Sequence, residues 1–229
     1  MTPGQAVPSD PAWGAALAQG LNQLRLELDA QQQSDLLQYL GLLTKWNQVY
    51  NLTAVRDPMD MLRQHLLDSL AVVPALTRHL QSRGIVDPIP LLDVGAGAGL
   101  PGVALAVALP QLRVTCVDTV GKKVAFIQQV AATLRLENLK TRHARVETLT
   151  GHDWPIICSR AFASLAEFTG WTRQALAPGG VWIAMKGREP VEEMRALADS
   201  VRVFHVEPLQ VPGLDAQRCL VWMRESRPE

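Results

Sequence analysis

A glycine-rich segment is the clearest candidate for chemistry in this sequence. It reads Asp93-Val-Gly-Ala-Gly-Ala-Gly-Leu-Pro-Gly102 and follows a short apolar run at 91–94 that is typical of a buried strand. Glycines at 95, 97 and 99 let the backbone turn tightly and approach a ligand with no side chain in between. Pro101 suits the first position of a helix, where its missing N–H costs nothing. The segment therefore predicts a strand, a ligand-binding loop and a helix in succession.

A carboxylate stands where an adenosine ligand would need one. Asp118 closes the run Arg-Val-Thr-Cys-Val-Asp at 113–118, and about 20 residues after such a loop an acid can accept hydrogen bonds from the ribose hydroxyls. A dinucleotide fingerprint would need glycine at position 100, but Leu100 stands there. The Gly-x-Gly-x-Gly spacing is the one associated with S-adenosylmethionine. It favours that cofactor over a nicotinamide dinucleotide, and over a turn without ligand, in which three glycines would cost conformational entropy.

Composition limits the classes of protein that are possible. Lys and Arg total 22 and Asp and Glu total 22, so the chain does not coat nucleic acid by bulk electrostatics. A local basic face or a solvated helix surface is possible at 120–160, where seven basic residues face three acids. The longest apolar stretch, 100–110, is about half a membrane span, and no basic residue precedes Arg25. We expect a cytoplasmic monomer with no membrane segment, in which Cys116, Cys158 and Cys219 are buried structural thiols.

The elements that position these residues fall into three parts. Residues 1–19 are rich in Ala, Pro and Gly and predict a loosely ordered arm; residues 20–84 predict a helical segment packed on the main domain; residues 85–229 predict the catalytic domain. Ser34 with Asp35 is the expected start of the second helix, Asn51 its end, and Asp57-Pro58 the start of the next. Residues 84–90 predict a linker.

After this linker, strands alternate with helical segments. The predicted strands cover 91–94, 113–118, 139–143, 156–159, 181–185, 201–206 and 219–223. The predicted helices cover about 101–108, 120–134 and a segment ending at 176, before a turn at 178–180. Such alternation predicts a doubly wound, mostly parallel α/β sheet of seven strands, Rossmann-like, with a small N-terminal helical extension. The last two strands lack a long crossover helix, so we expect an antiparallel ending.

With these motifs in place, the sequence resembles a known family, the bacterial small-subunit ribosomal RNA guanine N-7 methyltransferases, also called glucose-inhibited division protein B. The resemblance runs from about Leu36 to Met223. Besides the glycine loop, the pieces that carry it are Lys45-Trp46-Asn47, Tyr50-Asn51-Leu52-Thr53, His65-Leu-Leu-Asp68-Ser69, Gly121-Lys122-Lys123, Arg145-Val146-Glu147, Ser159-Arg160-Ala161-Phe162-Ala163 and Lys186-Gly187. It implies a class I S-adenosylmethionine-dependent methyltransferase acting on N-7 of a guanine in 16S ribosomal RNA, within a small ribosomal subunit or an assembly intermediate.

The resemblance also implies roles for individual residues. Gly95 and Leu100 match positions around the methionine part of the cofactor, and Val146 and Glu147 match its adenine side. Arg160 matches a position next to both cofactor and substrate. Together with the rest of the loop and the ribose-binding acid, the cofactor-binding residues expected are Gly95, Ala96, Gly97, Gly99, Leu100, Asp118, Val146, Glu147 and Arg160.

Arg160 is the candidate catalytic residue, with a positioning role. It follows the fourth strand, at the carboxyl edge where open α/β sheets bind ligands, and a guanidinium there can bind a phosphate or stack on a base; a surface ion pair is the structural alternative. His65 and Asp68 share one helix face, where they contact RNA or fasten the helical segment to the domain. Lys122 and Lys123 at a helix start oppose the helix dipole, which suggests phosphate contact.

Three other functions remain compatible with parts of the sequence. A methyltransferase acting on another RNA, a protein or a small molecule would share the fold and the cofactor; adenine-directed and small-substrate enzymes often carry Asn/Asp-Pro-Pro-Tyr where Ser159-Arg160-Ala161-Phe162 stands. A nicotinamide oxidoreductase is disfavoured by Leu100. A non-catalytic RNA-binding module would tolerate decay of the glycine loop, which is intact.

Overall fold

The computed structural model describes residues 10–84 and 88–226. In this part of the chain seven strands form one sheet in the order β3-β2-β1-β4-β5-β7-β6. The strands are β1 Ile89–Val94, β2 Leu112–Asp118, β3 Leu139–His143, β4 Trp154–Arg160, β5 Leu176–Lys186, β6 Val201–Leu209 and β7 Arg218–Glu225. Strands β1 to β5 pair in parallel, whereas β7 pairs antiparallel with both β5 and β6. The predicted mostly parallel sheet with an antiparallel ending is confirmed.

The central strands are apolar on both sides because helices cover both faces of the sheet. Leu91 and Leu92 are neighbours on β1, and each is fully buried. Since successive strand side chains point to opposite faces, they belong to different core clusters, Leu91 with the N-terminal helices and Leu92 with Phe168. This is the doubly wound arrangement expected from the sequence.

The helices are α1 Pro11–Leu24, α2 Ala30–Tyr50, α3 Pro58–Met61, α4 Asp68–Leu70, α5 Val73–Arg83, α6 Gly102–Ala108, α7 Gly121–Leu134, α8 Leu165–Thr172 and α9 Val191–Arg195. A π-helical turn, Leu62–Leu67, joins α3 to α4, and a 3-10 turn covers Val146–Thr148. The N-terminal helices pack on the same face as α6 and α7; for instance, Gln32 of α2 donates to the carbonyl of Val107 in α6 at 2.8 Å. None of the helices described is both long and apolar enough to cross a membrane.

The prediction of a loose arm over 1–19 is wrong for residues 11–19, which belong to α1. Asp10 caps this helix by accepting from the Ala12 N–H at 2.9 Å, and Pro11 occupies its first turn. Leu17 is fully buried against the core. Residues 1–9 lie outside the described part, and so do residues 85–87 of the predicted linker, whose residues 89–90 already belong to β1.

Two further boundaries differ from the prediction. Helix α2 starts at Ala30 rather than at Ser34, because Asp29 and Gln32 form a reciprocal capping box. The helix expected to reach residue 176 ends at Thr172, and β5 already begins at Leu176. The predicted turn at 178–180 lies within β5, where the register with β4 shifts. The expected helix end at Asn51 and start at Asp57 are confirmed.

Candidate functional site

The glycine loop leaves the carboxyl end of β1 in a conformation that favours glycine. Gly95, Gly97 and Gly99 have φ of 65°, 57° and 88°, in the left-handed region. At Gly95 there is no room for a side chain either, since a Cβ would lie 2.6 Å from Cδ2 of Phe162. The Tyr39 hydroxyl, on α2, donates to the Ala98 carbonyl at 2.8 Å and is buried. The loop is thus held from both sides.

Asp118 lies at the end of β2, beside this loop. Its Oδ2 accepts from the Gly97 N–H at 2.9 Å, its Oδ1 accepts from the Val120 N–H at 2.8 Å, and Lys123 Nζ is 3.9 Å from Oδ2. A carboxylate has about four acceptor positions, so two remain for other donors. The acid can therefore brace the loop and still accept ribose hydroxyls.

A pocket of about 420 Å³ opens between the carboxyl ends of the strands. One side is formed by Gly95, Asp118, Val146 and Glu147, which were predicted as cofactor-binding residues. The other predicted residues are not in its lining: Ala96 and Leu100 are buried in the loop, Gly97 and Gly99 belong to the same turn, and Arg160 ends the neighbouring strand.

Two aromatic residues that the sequence reasoning did not assign form the other wall. The rings of Phe162 and Trp171 meet edge to face, with centroids 5.6 Å apart at 86°, and both line the pocket. Trp171 is 40% exposed, a large apolar surface for a side chain in a cleft. Phe162 could have been found, since it follows Arg160 at the carboxyl edge. Trp171 lies on α8, and no local spacing connects it to the glycine loop.

Arg160 is held by a carboxylate from the helical segment. Its Nη1 donates to Asp68 Oδ2 and to the Gln64 carbonyl, each at 3.1 Å. On the other oxygen, Asp68 Oδ1 accepts from Arg218 Nε at 2.8 Å. The sequence reasoning missed Arg218. An antiparallel last strand begins at the sheet edge where the parallel strands end. The predicted antiparallel ending therefore already indicated that a residue at the start of this strand, such as Arg218, would lie near that edge.

His65 is part of the same environment. Its Nε2 lies 2.7 Å from Thr53 Oγ1, and its Nδ1 is buried with no hydrogen-bond partner among residues 10–84 and 88–226. Burial, together with the nearby charge of Arg160, lowers the pKa of His65 to about 4. The imidazole is therefore neutral at pH 7, and it fastens the 51–57 loop to the π-helical turn. The contacts support a structural role for His65.

The fold separates Lys122 and Lys123, the two lysines for which the sequence suggested phosphate contact. Lys123 lines the pocket, whereas Lys122 is exposed on the first turn of α7.

Asp93 lies beneath the loop, at the centre of the sheet. Its Oδ2 accepts from the Gly102 N–H at 2.8 Å, so it caps α6 from within the protein. The thiols of Cys116 and Cys158 approach its two oxygens at 3.8 and 3.9 Å. Burial raises the pKa of Asp93 to about 7. All three cysteines are buried, as expected.

These features fit S-adenosylmethionine. Gly97 would meet little if it carried a Cβ, the nearest atom being the Gly95 carbonyl oxygen at 3.9 Å, so open space lies beside the turn. Gly95 contributes bare backbone to the pocket lining. Asp118 has acceptor positions left for a ribose, and an apolar and aromatic wall lies opposite. The cofactor of this chain is S-adenosylmethionine.

Solved structures share the fold at low sequence identity. A putative S-adenosylmethionine-dependent methyltransferase from Methanococcus maripaludis superposes with a TM-score of 0.55 at 15% identity, covering 75% of this chain and 92% of that one. A similar enzyme from Aquifex aeolicus gives 0.53 at 16% identity, covering 76% and 96%. They establish a class I, Rossmann-like methyltransferase fold.

Sequence relatives are much closer. The ribosomal RNA small subunit methyltransferase G of Polaromonas naphthalenivorans is 58% identical over 210 residues, covering 92% of this chain and 95% of its own. The protein of the same name from Methylibium petroleiphilum is 61% identical over 215 residues, covering 92% and 96%. The family model described as GidB, rRNA small subunit methyltransferase G, matches residues 32–221. The chain belongs to this family, the GidB methyltransferases of small-subunit ribosomal RNA.

Proposed function

We propose that this enzyme transfers the methyl group of S-adenosylmethionine to N-7 of one guanine in 16S ribosomal RNA. The observation that carries the proposal is the name shared by relatives about 60% identical over nine-tenths of the chain. The matched region, 32–221, contains every residue that we assign to the site. The base and the atom methylated come from the resemblance described above.

We assign cofactor binding to the predicted residues. Gly95, Ala96, Gly97, Gly99 and Leu100 form the loop around the methionine part, and Asp118 takes the ribose. In the same proposal Val146 and Glu147 contact the adenine side. The location of Gly95, Asp118, Val146 and Glu147 in one pocket supports these roles.

The chemistry requires no general base from the protein. Guanine N-7 carries no proton and presents an in-plane lone pair, and the bound cofactor supplies an electrophilic methyl group on its sulfonium. The protein must bring the two reactants into line and exclude water. We assign this positioning to Arg160, whose Nε and Nη2 donate to no acceptor within the described residues and suit a phosphate or the guanine.

We further propose that the substrate is a small ribosomal subunit or an assembly intermediate, and that the enzyme acts on it as a cytoplasmic monomer. The formal net charge of zero supports a structured subunit as the substrate, because a neutral protein gains little from counterion release on free RNA. A structured subunit can present the target base and add contacts from its own proteins.

The test compares the parent chain with Arg160→Ala, using labelled S-adenosylmethionine and small subunits from cells that lack the enzyme. We expect the variant to lose methyl transfer by about a hundredfold, as for loss of a positioning group, with thermal unfolding within a few degrees of the parent. Unchanged turnover would remove Arg160 from the mechanism. If the label enters a protein or another RNA instead, the substrate assignment is wrong while the methyltransferase stands.

A further inference from the structure

Three charged side chains from separate parts of the chain meet beside the glycine loop. Asp68 comes from α4, Arg160 from the end of β4 and Arg218 from the start of β7. Asp68 accepts from Arg160 Nη1 at 3.1 Å and from Arg218 Nε at 2.8 Å. Its side chain is 4% exposed, against 18% and 25% for the two arginines. The carboxylate is thus the buried centre of the cluster.

The cluster has one positive charge in excess. Two guanidinium groups share a single carboxylate, and His65 beside them adds no charge at pH 7. Within residues 10–84 and 88–226, no other Asp or Glu forms a salt bridge with Arg160 or Arg218. In the same residues, Nε and Nη2 of Arg160 and Nη2 of Arg218 donate to no protein acceptor. A partly buried cation with free donors calls for an anionic ligand.

The cluster lies next to the cofactor pocket without lining it, because β4 pairs with β1 and Arg160 ends β4 beside the start of the glycine loop. Arg160 is two residues before Phe162, whose ring covers Gly95 and lines the cofactor pocket. Fastening the helical layer to the sheet does not require two arginines on one acid. Arg78 and Glu207 already join α5 to β6 with one ion pair at 2.6 Å.

We propose that Asp68 is a positioning residue that holds Arg160 and Arg218 as a preorganised pair for an anionic oxygen of the reactants. That oxygen belongs either to the cofactor's carboxylate or to a phosphodiester of the RNA, and only the second rests on the proposed function. Both flexible side chains are fixed before the ligand binds. Binding therefore does not have to reduce their conformational entropy. Asp68 itself touches neither reactant in this proposal.

The experiment is Asp68→Asn in the full chain, with binding and turnover measured separately. Calorimetry gives the dissociation constants of S-adenosylhomocysteine and of 5′-methylthioadenosine, which has the same nucleoside but no carboxylate. Kinetics give kcat and KM for small subunits. If the anion is the cofactor's carboxylate, the dissociation constant of S-adenosylhomocysteine should rise about tenfold while that of 5′-methylthioadenosine stays unchanged. If the anion is the RNA phosphodiester, KM for small subunits should rise about tenfold instead.

A spectroscopic readout reports on the arginine pair directly. In ¹H–¹⁵N spectra of the parent chain, the Nε–H of Arg218 should exchange slowly with solvent because it donates to a buried carboxylate. Asp68→Ala, which removes both acceptor oxygens, should abolish this protection. An unchanged Arg218 resonance, or binding constants and KM all within twofold of the parent, would overturn the proposal. An equal loss of affinity for both nucleosides would also overturn it, because that indicates general damage to the pocket.

Two further variants keep the test decisive. Glu207→Gln is the matched control, since it breaks another ion pair between the helical layer and the sheet and should leave binding and KM unchanged. If Asp68→Asn fails to fold, Arg218→Gln takes its place, because it removes the excess charge and leaves the Asp68–Arg160 pair; unchanged binding and KM in that variant would refute the idea. If the parent chain methylates no ribosomal RNA, the proposed function fails, while the two nucleosides and the Arg218 resonance still decide the role of Asp68.

Discussion

At the scale of single residues, Asp93, beneath the glycine loop, makes the free energy of unfolding depend on pH. Its buried carboxyl accepts from the Gly102 N–H, and burial raises its pKa from 3.8 to about 7. The folded protein therefore holds this proton over a pH range in which the unfolded chain has released it. By linkage, the free energy of unfolding falls as pH rises from about 4 to 7 and stays low above.

We expect Asp93→Asn to remove this dependence. The amide oxygen still accepts from Gly102, but the side chain no longer ionises. Relative to the parent, the variant should gain stability as pH rises from 5 to 8, by a few kcal/mol at most, since one pKa unit corresponds to about 1.4 kcal/mol. Urea denaturation across this range measures the difference. Asp153→Asn, at an exposed turn, is the control; parallel curves for Asp93→Asn and the parent would contradict the expectation.

The sequence predicted the site best where residue types indicate the backbone conformation. Three glycines and an acid at the ends of adjacent strands identify the loop and Asp118, because parallel strands end at the same edge. The cluster of Asp68, Arg160 and Arg218 joins residues separated by 92 and 150 positions along the chain. No periodicity encodes such a contact, since it depends on how the helical layer packs on the sheet.

At the scale of elements, helix α2 supports the loop through one hydroxyl. Tyr39 is 1% exposed and donates to the carbonyl of Ala98, between Gly97 and Gly99. A buried carbonyl that loses its donor costs about 1–3 kcal/mol. The helical segment thus does more than cover the sheet, because it also holds the glycine turn that follows β1.

Tyr39→Phe should therefore lower the free energy of unfolding by about 1–3 kcal/mol and weaken S-adenosylhomocysteine binding severalfold. Chemical denaturation and calorimetry measure the two effects. Tyr50→Phe, in the same helix but 43% exposed, is the matched control. Wild-type affinity in Tyr39→Phe would mean that the loop keeps its shape without α2.

The ends of helices and strands were predicted correctly where a single sequence signal defined them. Strand β3 matches its predicted range, 139–143, because an apolar start and turns on both sides isolate it. Helix α1 was missed because its Ala and Gly content resembles a flexible arm. Its signal was nevertheless present, since Asp10-Pro11 repeats the Asp57-Pro58 pattern that marks the start of α3. Buried Leu17 and Leu21, four apart, complete that signal.

At the scale of the whole molecule, the helical layer and the sheet are joined at the edge where the parallel strands end. The N-terminal helices bring Tyr39 and Asp68 to a sheet edge where β1, β2 and β4 supply Gly95, Asp118 and Arg160. The sequence predicted the sheet, its ending and the cofactor from pattern alone. How the helical layer reaches the site depends on three-dimensional packing, which follows from no single stretch of the chain.

In the proposed reaction, this molecule methylates one guanine of small-subunit ribosomal RNA at N-7. The most direct measurement incubates the purified chain and S-adenosylmethionine with small subunits from cells lacking the enzyme. The methylated nucleoside is then identified by mass spectrometry and located in the RNA. The expected product is 7-methylguanosine at a single position, approaching one methyl group per subunit. Methylation of another atom, another base or a ribosomal protein, or no transfer by a chain that binds the cofactor, would contradict it.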